Sequence, residues 1–406
     1  MPGYDRITSI LGFQQYSIVV FKRINKQRIE VWLEPREKKW RCPQCGQLYF
    51  VYYDRKLAML RDLDLAPHMS FLIVPKYRVC CSQCGVKSIP LTIARPRAHC
   101  TKRFERRLFV MTRSTPVSEV ASEMGVDWDT VRDAEIRHID GLLRKRDLDG
   151  IRDLGIDEVS IRGHEYLTLV TDLQGHRVIW VGEGRSRATL KAFFRWFGKK
   201  RVRRLRRFAI DMHEPYELEI RAQCPRAKII YDHFHLSKLL HDSIDKIRRR
   251  LQSELPPADR RYLKGMRYLI LKARENATPE DRVKLKELLS VNAPISTGYV
   301  LKEDFRSVFR EEDPKKARRD LRDWKRRARE SKIPELIKIV RTLNRRRHGI
   351  YNFFRHRLSN AMSEGYNNVV KTVKKMAYGF RDTSYFCRKI LRKCGGLEAE
   401  LDSHNG

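Results

Sequence analysis

The chain has 406 residues, and its 86 lysine and arginine residues outnumber its 50 aspartate and glutamate residues, giving a formal net charge of +36. A hydrophobic fraction of 41% excludes wholesale disorder, which requires low hydrophobicity together with high charge. The positive excess is too large for a typical metabolic enzyme and indicates a polyanionic partner, nucleic acid before an anionic membrane. No apolar run approaches the length of a membrane span, and residues 1–15 lack an apolar signal-peptide core. We therefore expect a soluble, intracellular protein of several domains.

Residues 1–97 are predicted to form short strands and a zinc finger. Two C-x-x-C-G knuckles each bring two thiols together in a tight turn. Four thiolates from two such turns make a tetrahedral site for one structural Zn²⁺, and these spacings in an intracellular protein favour metal over disulfides. The four predicted ligands are Cys42, Cys45, Cys81 and Cys84.

The long gap between the knuckles fits a zinc ribbon that carries an inserted hairpin. Alternating apolar residues predict strands at Leu48–Tyr53 and Phe71–Val79. Cys80 adjoins Cys81 and could replace it as the fourth ligand. The alternative to the zinc site is a set of buried structural thiols without metal.

Residues 98–149 are predicted to form a helix-turn-helix domain. Val120, Ala121 and Met124 share one helix face, and Gly125 supplies the turn that needs a positive φ. The pattern is typical of motifs whose second helix enters the DNA major groove, and a plain helical hairpin is the alternative. Because the second helix is acidic, we assign most DNA contacts to the helix before the motif. The predicted contacts are Lys102, Arg103, Arg106, Arg107 and Arg113, with Thr130 and Arg132 on the second helix.

From residue 150 the pattern changes to α/β. Three consecutive strands are predicted at Leu154–Ile161, Tyr166–Asp172 and Arg177–Val181, followed by alternating helices and strands up to residue 255. A three-stranded meander followed by helix-strand units is typical of a ribonuclease-H-like sheet. The returning amphipathic helices of residues 359–394 complete this domain, and residues 395–406 are expected to be a mobile tail.

Residues 256–358 interrupt this domain with a helical and strongly basic insertion. Residues 244–358 hold 33 lysine and arginine residues against 16 aspartate and glutamate residues, a local excess of 33 − 16 = +17. Solvated helix faces explain part of this excess, and a DNA-tracking surface explains its single sign better. The predicted DNA contacts here and on the returning helix are Lys325, Arg326, Arg327, Arg345, Arg346, Arg347, Lys371, Lys374 and Lys375.

Carboxylates stand on two otherwise apolar strands of the predicted sheet. Asp157 lies within one strand and Asp211 ends another, and both strands are otherwise suited to burial. If the strands are neighbours, the two carboxylates face each other and need a cation between them, for which Mg²⁺ is suited. Glu364, on the returning helix, supplies a third acid. Taken singly, Asp211 could instead be a helix N-cap and Glu364 a solvated acid.

Two further acids are candidates for this site. Asp232 ends a strand beside His233 and His235, and we assign it a supporting position behind Asp211, with a helix N-cap as the alternative. Glu158 is excluded because strand alternation places it on the face opposite Asp157.

The whole chain resembles the DDE transposases of the ISL-three insertion-sequence family. The resemblance rests on the paired knuckles, Gly155-Ile-Asp-Glu158, Ile210–Tyr216 with Tyr231–His235, and Ser359–Asn367 leading to Ala377–Phe380. It implies a multidomain α/β protein with a zinc-ribbon-like finger, a helix-turn-helix and a ribonuclease-H-like catalytic domain carrying a helical insertion. It also implies that Asp157, Asp211 and Glu364 are the catalytic triad.

This resemblance implies a bacterial, cytoplasmic and nucleoid-associated enzyme that binds the terminal inverted repeats of its transposon. Two Mg²⁺ (or Mn²⁺) ions per site would support DNA cleavage and strand transfer into target DNA. Assembly as a homodimer or larger on paired ends is implied, and no membrane partner. The alternatives are a catalytically silent, transposase-derived DNA-binding regulator and a ribonuclease-H-like nuclease or resolvase without strand transfer.

Overall fold

The computed structural model describes residues 12–65, 67–360, 362–377, 380 and 382–397, without the side chains of residues 257–259 and 291. The chain divides into two compact units, Met1–Lys145 and Arg146–Gly406. The predicted mobile tail falls largely outside the described residues. Among the described helices, none combines the length and the apolar character that crossing a bilayer requires.

The first unit contains a five-stranded sheet and a small two-stranded sheet. Its strands are β1 (Tyr16–Arg23), β2 (Arg28–Pro35), β3 (Trp40–Arg41), β4 (Leu48–Tyr49), β5 (Asp54–Leu65), β6 (His68–Cys81) and β7 (Gly85–Ser88). The large sheet has the order β1-β2-β6-β5, with β7 paired to β6, and β3 pairs with β4. Alternate apolar residues such as Val31, Leu60 and Leu72 form one buried core, as the period of two along a strand requires.

Three helices follow these strands in the first unit: α1 (Lys102–Met111), α2 (Val117–Met124) and α3 (Trp128–Lys145). The Thr101 side chain caps α1 by accepting a hydrogen bond from the backbone N–H of Phe104. The α2 helix ends at Gly125, whose φ of 61° and ψ of 43° are left-handed, and a side chain there would be strained. The predicted inner face of α2 is buried, as expected.

The second unit is built on a five-stranded mixed sheet. Its strands are β8 (Asp153–Arg162), β9 (Glu165–Asp172), β10 (Arg177–Glu183), β11 (Arg207–Ile210) and β12 (Lys228–Tyr231). Their order is β10-β9-β8-β11-β12. The first three strands are antiparallel neighbours, and β11 runs parallel to both β8 and β12. The predicted meander and the two later strands are therefore present.

Helices cover both faces of this sheet. The helices that alternate with the strands are α4 (Arg187–Phe197), α5 (Lys199–Val202), α6 (Glu214–Gln223) and α7 (His233–Glu254), and the returning helices are α15 (Met362–Met376) and α16 (Thr383–Cys394). One buried cluster joins sheet residues such as Ile156 to Phe193 of α4 and Leu240 of α7. A second cluster joins Val159 to residues of α15 and α16, including Phe386. The unit therefore has three layers.

The insertion is helical, as predicted, and it continues the core of the second unit. Its helices are α8 (Pro257–Gly265), α9 (Arg267–Leu271), a 3₁₀ turn (Arg274–Asn276), α10 (Pro279–Val291), α11 (Ala293–Arg310), α12 (Pro314–Glu330), α13 (Pro334–Arg345) and α14 (Arg347–His356). The α14 helix packs on β12, where Asn352 Nδ2 donates to the Ile229 carbonyl at 2.8 Å. Only glycine fits at position 349, because a Cβ there would collide with the Tyr231 ring.

Candidate functional site

The parallel register of β8 and β11 places two carboxylates side by side. Ile156 pairs with Ile210, so Asp157 and Asp211 are the next residues along the two strands. Adjacent strands lie about 4.8 Å apart, and the sequence prediction that these carboxylates face each other is met. Burial raises the pKa of Asp157, and the neighbouring Asp211 carboxylate raises it further.

A histidine whose role the sequence does not reveal, His235, completes this cluster. His235 Nε2 lies 2.6 Å from Asp211 Oδ1, and ligand atoms of Asp157, Asp211 and His235 all lie within 4.8 Å of one another. Burial lowers the pKa of His235, but the hydrogen bond and charge of Asp211 outweigh this and leave the pKa above its ordinary value. The Tyr231–His235 segment was singled out in the sequence, but which of its side chains reaches Asp211 follows only from the start of α7.

Glu364 lies at the same cavity but outside this cluster. The cavity, about 540 Å³, is lined by Asp157, Asp211 and His235 together with Glu364 and its neighbours on α15. Glu364 itself is exposed. One turn further along α15, Asn367 Nδ2 donates to Asp157 Oδ2 at 3.0 Å, and residues three apart share a helix face. The face of α15 that carries Glu364 is therefore directed to the carboxylates.

The segment before α15 is fixed to β8 by a close approach. Asn360 Nδ2 donates to the Ile156 carbonyl at 3.2 Å. A Cβ at position 155 would collide with Asn360 Oδ1, which explains why glycine stands two residues before Asp157. Ala361, Tyr378 and Gly379, which belong to the sequence blocks quoted above, lie outside the described residues.

The two other acids considered in the sequence both line the cavity. Asp232 caps α7, its carboxylate accepting a hydrogen bond from the Phe234 backbone N–H at 3.1 Å, so the N-cap alternative describes its contacts. Glu158 was excluded by strand alternation, yet its side chain lines the cavity beside Asp157, beyond the point where β11 ends. Burial, Asp211 and Asp157 raise the pKa of Glu158 to about 7.

The oxygen atoms that line the cavity are suited to ligate a hard divalent cation. Carboxylate and amide oxygens are the ligands that Mg²⁺ prefers. Among the described residues, Glu158 Oε2, Asn360 Oδ1 and Asn367 Oδ1 are buried without a hydrogen-bond donor. Buried oxygens without donors next to two facing carboxylates are costly in the absence of a cation.

The first unit holds a second cluster, formed by four thiols. Sulfur atoms of the four predicted ligands lie within 4.8 Å of one another, and Cys45 Sγ and Cys81 Sγ are 3.5 Å apart. One knuckle lies between β3 and β4 and the other between β6 and β7. Gly46 and Gly85, with φ of 78° and 72°, close the two turns in the left-handed region. Cys80 is exposed and outside the cluster, so Cys81 takes the position that the sequence left open.

Two of these thiols have pKa values that are shifted in opposite directions. The hydrogen bond of the Tyr49 hydroxyl lowers the pKa of Cys81 to about 6. Burial and the neighbouring thiols raise the pKa of Cys84 to about 12. Four thiolates held this close require a cation, and tetrahedral sulfur sites are typical of Zn²⁺.

The predicted DNA contacts of the helix-turn-helix differ in their surroundings. Lys102, Arg106, Arg107 and Arg113 are exposed. The Arg103 guanidinium instead pairs with the buried carboxylate of Asp62, because that acid needs a cation. Thr130 is half-buried. Arg132 pairs with Asp129 at 2.8 Å and Asp133 at 2.7 Å on its own helix.

Several basic residues predicted to contact DNA from the second unit are engaged within the protein. Arg346 pairs with Glu217 and lies 3.3 Å from the Tyr231 hydroxyl, which ties α14 to the sheet. Arg327 pairs with Asp304 at 2.6 Å, Lys325 Nζ lies 3.0 Å from Asn344 Oδ1, and Lys374 donates to the Ile161 carbonyl. Lys371 lines the carboxylate cavity. The remaining predicted contacts, Arg326, Arg345, Arg347 and Lys375, are exposed.

Comparison with known proteins gives three family matches in chain order. Residues 38–84 match the zinc-finger of transposase IS204/IS1001/IS1096/IS1165. Residues 89–139 match the helix-turn-helix domain of transposase family ISL3. Residues 154–390 match the transposase domain of the same family.

Two relatives are similar over most of their length. The chain is 33% identical over 391 residues to the transposase for insertion sequence element IS1001 of Bordetella parapertussis, covering 94% of this chain and 96% of that protein. It is 28% identical over 372 residues to the transposase for insertion sequence element IS1557 of Mycobacterium tuberculosis, covering 84% and 82%. The chain therefore belongs to the ISL3 family of insertion-sequence transposases, with a zinc finger and a DNA-binding helix-turn-helix.

Proposed function

We propose that this transposase is a DDE enzyme that cleaves transposon ends and joins them to target DNA on two Mg²⁺ (or Mn²⁺) ions. The observation that carries the proposal is the β8–β11 register, which sets Asp157 and Asp211 side by side within one cavity. The strand order β10-β9-β8-β11-β12, with an antiparallel meander followed by parallel strands, supports a ribonuclease-H-like assignment for this sheet.

Asp157 and Asp211 would hold the metal ions. Their carboxylates are positioned by β8, β11 and the Asn367 amide, so little side-chain entropy is lost when metal binds. When bound, the ions supply an activated oxygen nucleophile and stabilise the charge on the attacked phosphate. Glu364 would provide the third carboxylate once DNA and metal draw the first turn of α15 towards the strands.

Basic side chains at the same cavity would receive the DNA backbone. Lys238 of α7 and Lys371 of α15 both line the cavity that holds the carboxylates. Lysine ammonium groups pair with phosphate oxygens as point charges. The acids and lysines together would place a scissile phosphate against the metal ions, so positioning and charge neutralisation account for most of the catalysis.

The first unit would recognise the terminal inverted repeats. The exposed basic residues of α1 suit phosphate contacts, and α3 is the helix that would enter the major groove. The zinc centre would hold the β3–β4 and β6–β7 turns together. Assembly of two or more copies on paired ends is part of this proposal.

The proposal is tested by separating cleavage from end binding. Asp157→Ala, Asp211→Ala and Glu364→Ala should each abolish Mg²⁺-dependent cleavage and strand transfer of end-containing DNA, with end binding retained. Glu312→Ala removes an exposed acid outside the cavity and serves as the matched control. Cleavage by the Glu364 variant at the wild-type rate would remove Glu364 from the triad.

The position of Glu364 outside the carboxylate cluster favours one alternative, a silent DNA-binding regulator derived from a transposase. A nicking assay on supercoiled DNA carrying the ends separates the two functions. Metal-dependent nicking that requires Asp157 supports the enzyme, and end binding without nicking supports the regulator. Cleavage without joining would support the nuclease or resolvase.

A further inference from the structure

A second cavity, about 680 Å³, lies at the opposite end of the strands from the carboxylate cavity. It is formed where β8, β11 and β12 begin and where α14 ends, whereas Asp211 and Asp232 follow the last residues of β11 and β12. Arg207 begins β11 and Asp211 follows its last residue, so four residues separate the two edges, about 13 Å along an extended strand.

The walls of this cavity are almost entirely cationic. Six of its lining residues are exposed basic side chains contributed by three separate segments: Arg203, Arg204, Arg206, Arg226, Lys228 and Arg355. In the part of the chain that the structure describes, no acid forms an ion pair with any of the six. Arg207 also lines the cavity and differs from these six, because it pairs with the buried Asp153 at 2.6 Å.

This concentration of like charge is held in place by the backbone. The Arg206 N–H donates to the Arg152 carbonyl, and the Lys228 N–H donates to the Arg206 carbonyl, each at 2.8 Å. The segments therefore cannot separate freely to relieve repulsion between the guanidinium groups. Burial lowers the pKa of His356 at the cavity wall, and the Arg207 and Arg355 charges lower it further. An anion is the ligand that would stabilise such a site.

The chemistry of the walls selects the kind of anion. Leu205 is the one apolar lining residue among the described residues, His356 contributes the one aromatic ring, and no acid or amide side chain lines the cavity. Arginine and lysine bind phosphate oxygens regardless of base sequence, whereas recognition of most bases also needs acceptor groups or stacking surfaces. The site is therefore suited to a phosphodiester backbone without preference for sequence.

We propose that this arginine cavity binds the backbone of a second duplex DNA segment, separate from the segment whose phosphate reaches the carboxylates. Two segments are inferred because the two cavities lie at opposite ends of the same strands. This inference rests on the proposed function only in taking DNA as the substrate.

The test compares two pairs of substitutions in the full-length protein. Arg206→Gln with Arg226→Gln removes two charges from the cavity, and Lys191→Gln with Arg195→Gln removes two exposed charges of α4 that do not line it. The protein is first saturated with unlabelled end duplex. A labelled short duplex without transposon ends is then titrated at several salt concentrations.

We expect the wild type and the α4 variant to bind the labelled duplex equally. The cavity variant should bind it at least tenfold more weakly at low salt. Its slope of log affinity against log salt should be smaller by about 1.8, since each neutralised phosphate contributes about 0.9. Arg204→Gln with Arg355→Gln removes two other charges of the cavity and should reproduce the result.

Equal affinities and slopes in the cavity and α4 variants would overturn the proposal, because binding would then follow bulk charge. Failure of the end-saturated wild type to bind the labelled duplex would overturn it as well. Neither outcome bears on the catalytic proposal, which is read separately from Asp157-dependent cleavage of end DNA. Conversely, if cleavage of end DNA did not depend on Asp157, the result of the duplex-binding test would still stand.

Discussion

Replacing Asp157 by asparagine should make the metal-free protein more stable while it abolishes cleavage. The carboxylates of Asp157 and Asp211 lie within 4.8 Å of each other, and two unit charges at that distance repel by about 3.5 kcal/mol at an effective dielectric of about 20. His235, 2.6 Å from Asp211, offsets part of this repulsion. If half of this repulsion is relieved by the substitution, the free energy of unfolding rises by about 2 kcal/mol. That change raises the melting temperature of a domain of this size by about 5 °C.

Thermal unfolding in EDTA and in Mg²⁺ measures both sides of this prediction. In EDTA, Asp157→Asn should melt above the wild type, because asparagine keeps the shape of the side chain and removes the buried charge. In Mg²⁺, the wild type should gain stability through ligand binding and the variant should gain little. Asp320→Asn, a change of the same kind outside the carboxylate cavity, is the control and should respond to Mg²⁺ as the wild type does.

Melting of Asp157→Asn at or below the wild type in EDTA would refute this prediction. That result would mean that the Asp157 carboxylate is stabilised by its hydrogen bonds more than it is destabilised by Asp211. Equal stabilisation of wild type and variant by Mg²⁺ would show that the ion binds elsewhere.

Three further predictions concern other parts of the chain. Cys45→Ser should reduce bound zinc, measured by elemental analysis, from one ion per chain to a small fraction, whereas Cys80→Ser should retain the ion. Glu364→Gln should lower the cleavage rate by at least a hundredfold while the affinity for end DNA, measured by gel shift, stays within about twofold. Burial would raise the pKa of Glu105, but the hydrogen bond of Arg95 and the charge of Arg137 hold it below its usual range. The pKa of Glu105 is therefore lower in the folded protein than in the unfolded chain, so its interactions with Arg95 and Arg137 contribute their full stability above about pH 4.3. That stability is lost as the pH falls through the folded-state pKa of Glu105. Urea unfolding should show Glu105→Gln less stable than the wild type by about 3 kcal/mol near neutral pH, with a smaller difference in acid.

The sequence alone located the strands of the five-stranded sheet of the second unit. Apolar runs bounded by glycine and polar turns predicted β8, β9 and β10 to within a few residues, since strands covered on both faces are nearly continuous apolar runs and a turn has to interrupt them. The helical insertion was equally visible, because its apolar residues recur at helical spacing while its basic residues fill the remaining faces.

The sequence was less informative about charged side chains, because their partners are distant along the chain. Arg103 and Arg346 were predicted to contact DNA, yet each pairs with an acid of its own unit, Asp62 and Glu217. A run of basic residues identifies a region of positive charge, but the burial of a single acid elsewhere decides which member of the run is used internally.

Spacing along the chain identified the candidate ligands of the two metal sites. The two C-x-x-C-G knuckles fix a thiol pair each, and strand patterns identify Asp157 and Asp211 as costly carboxylates. Tertiary structure decided how they combine. The pairing of β6 with β7 turns Cys81 rather than Cys80 into the thiol cluster, and the start of α7 brings His235 onto Asp211. The tertiary structure also brings three separate basic segments together at the opposite end of the strands from the carboxylates. A sequence pattern records local periodicity, whereas these contacts depend on strand register and helix placement between residues far apart in the chain.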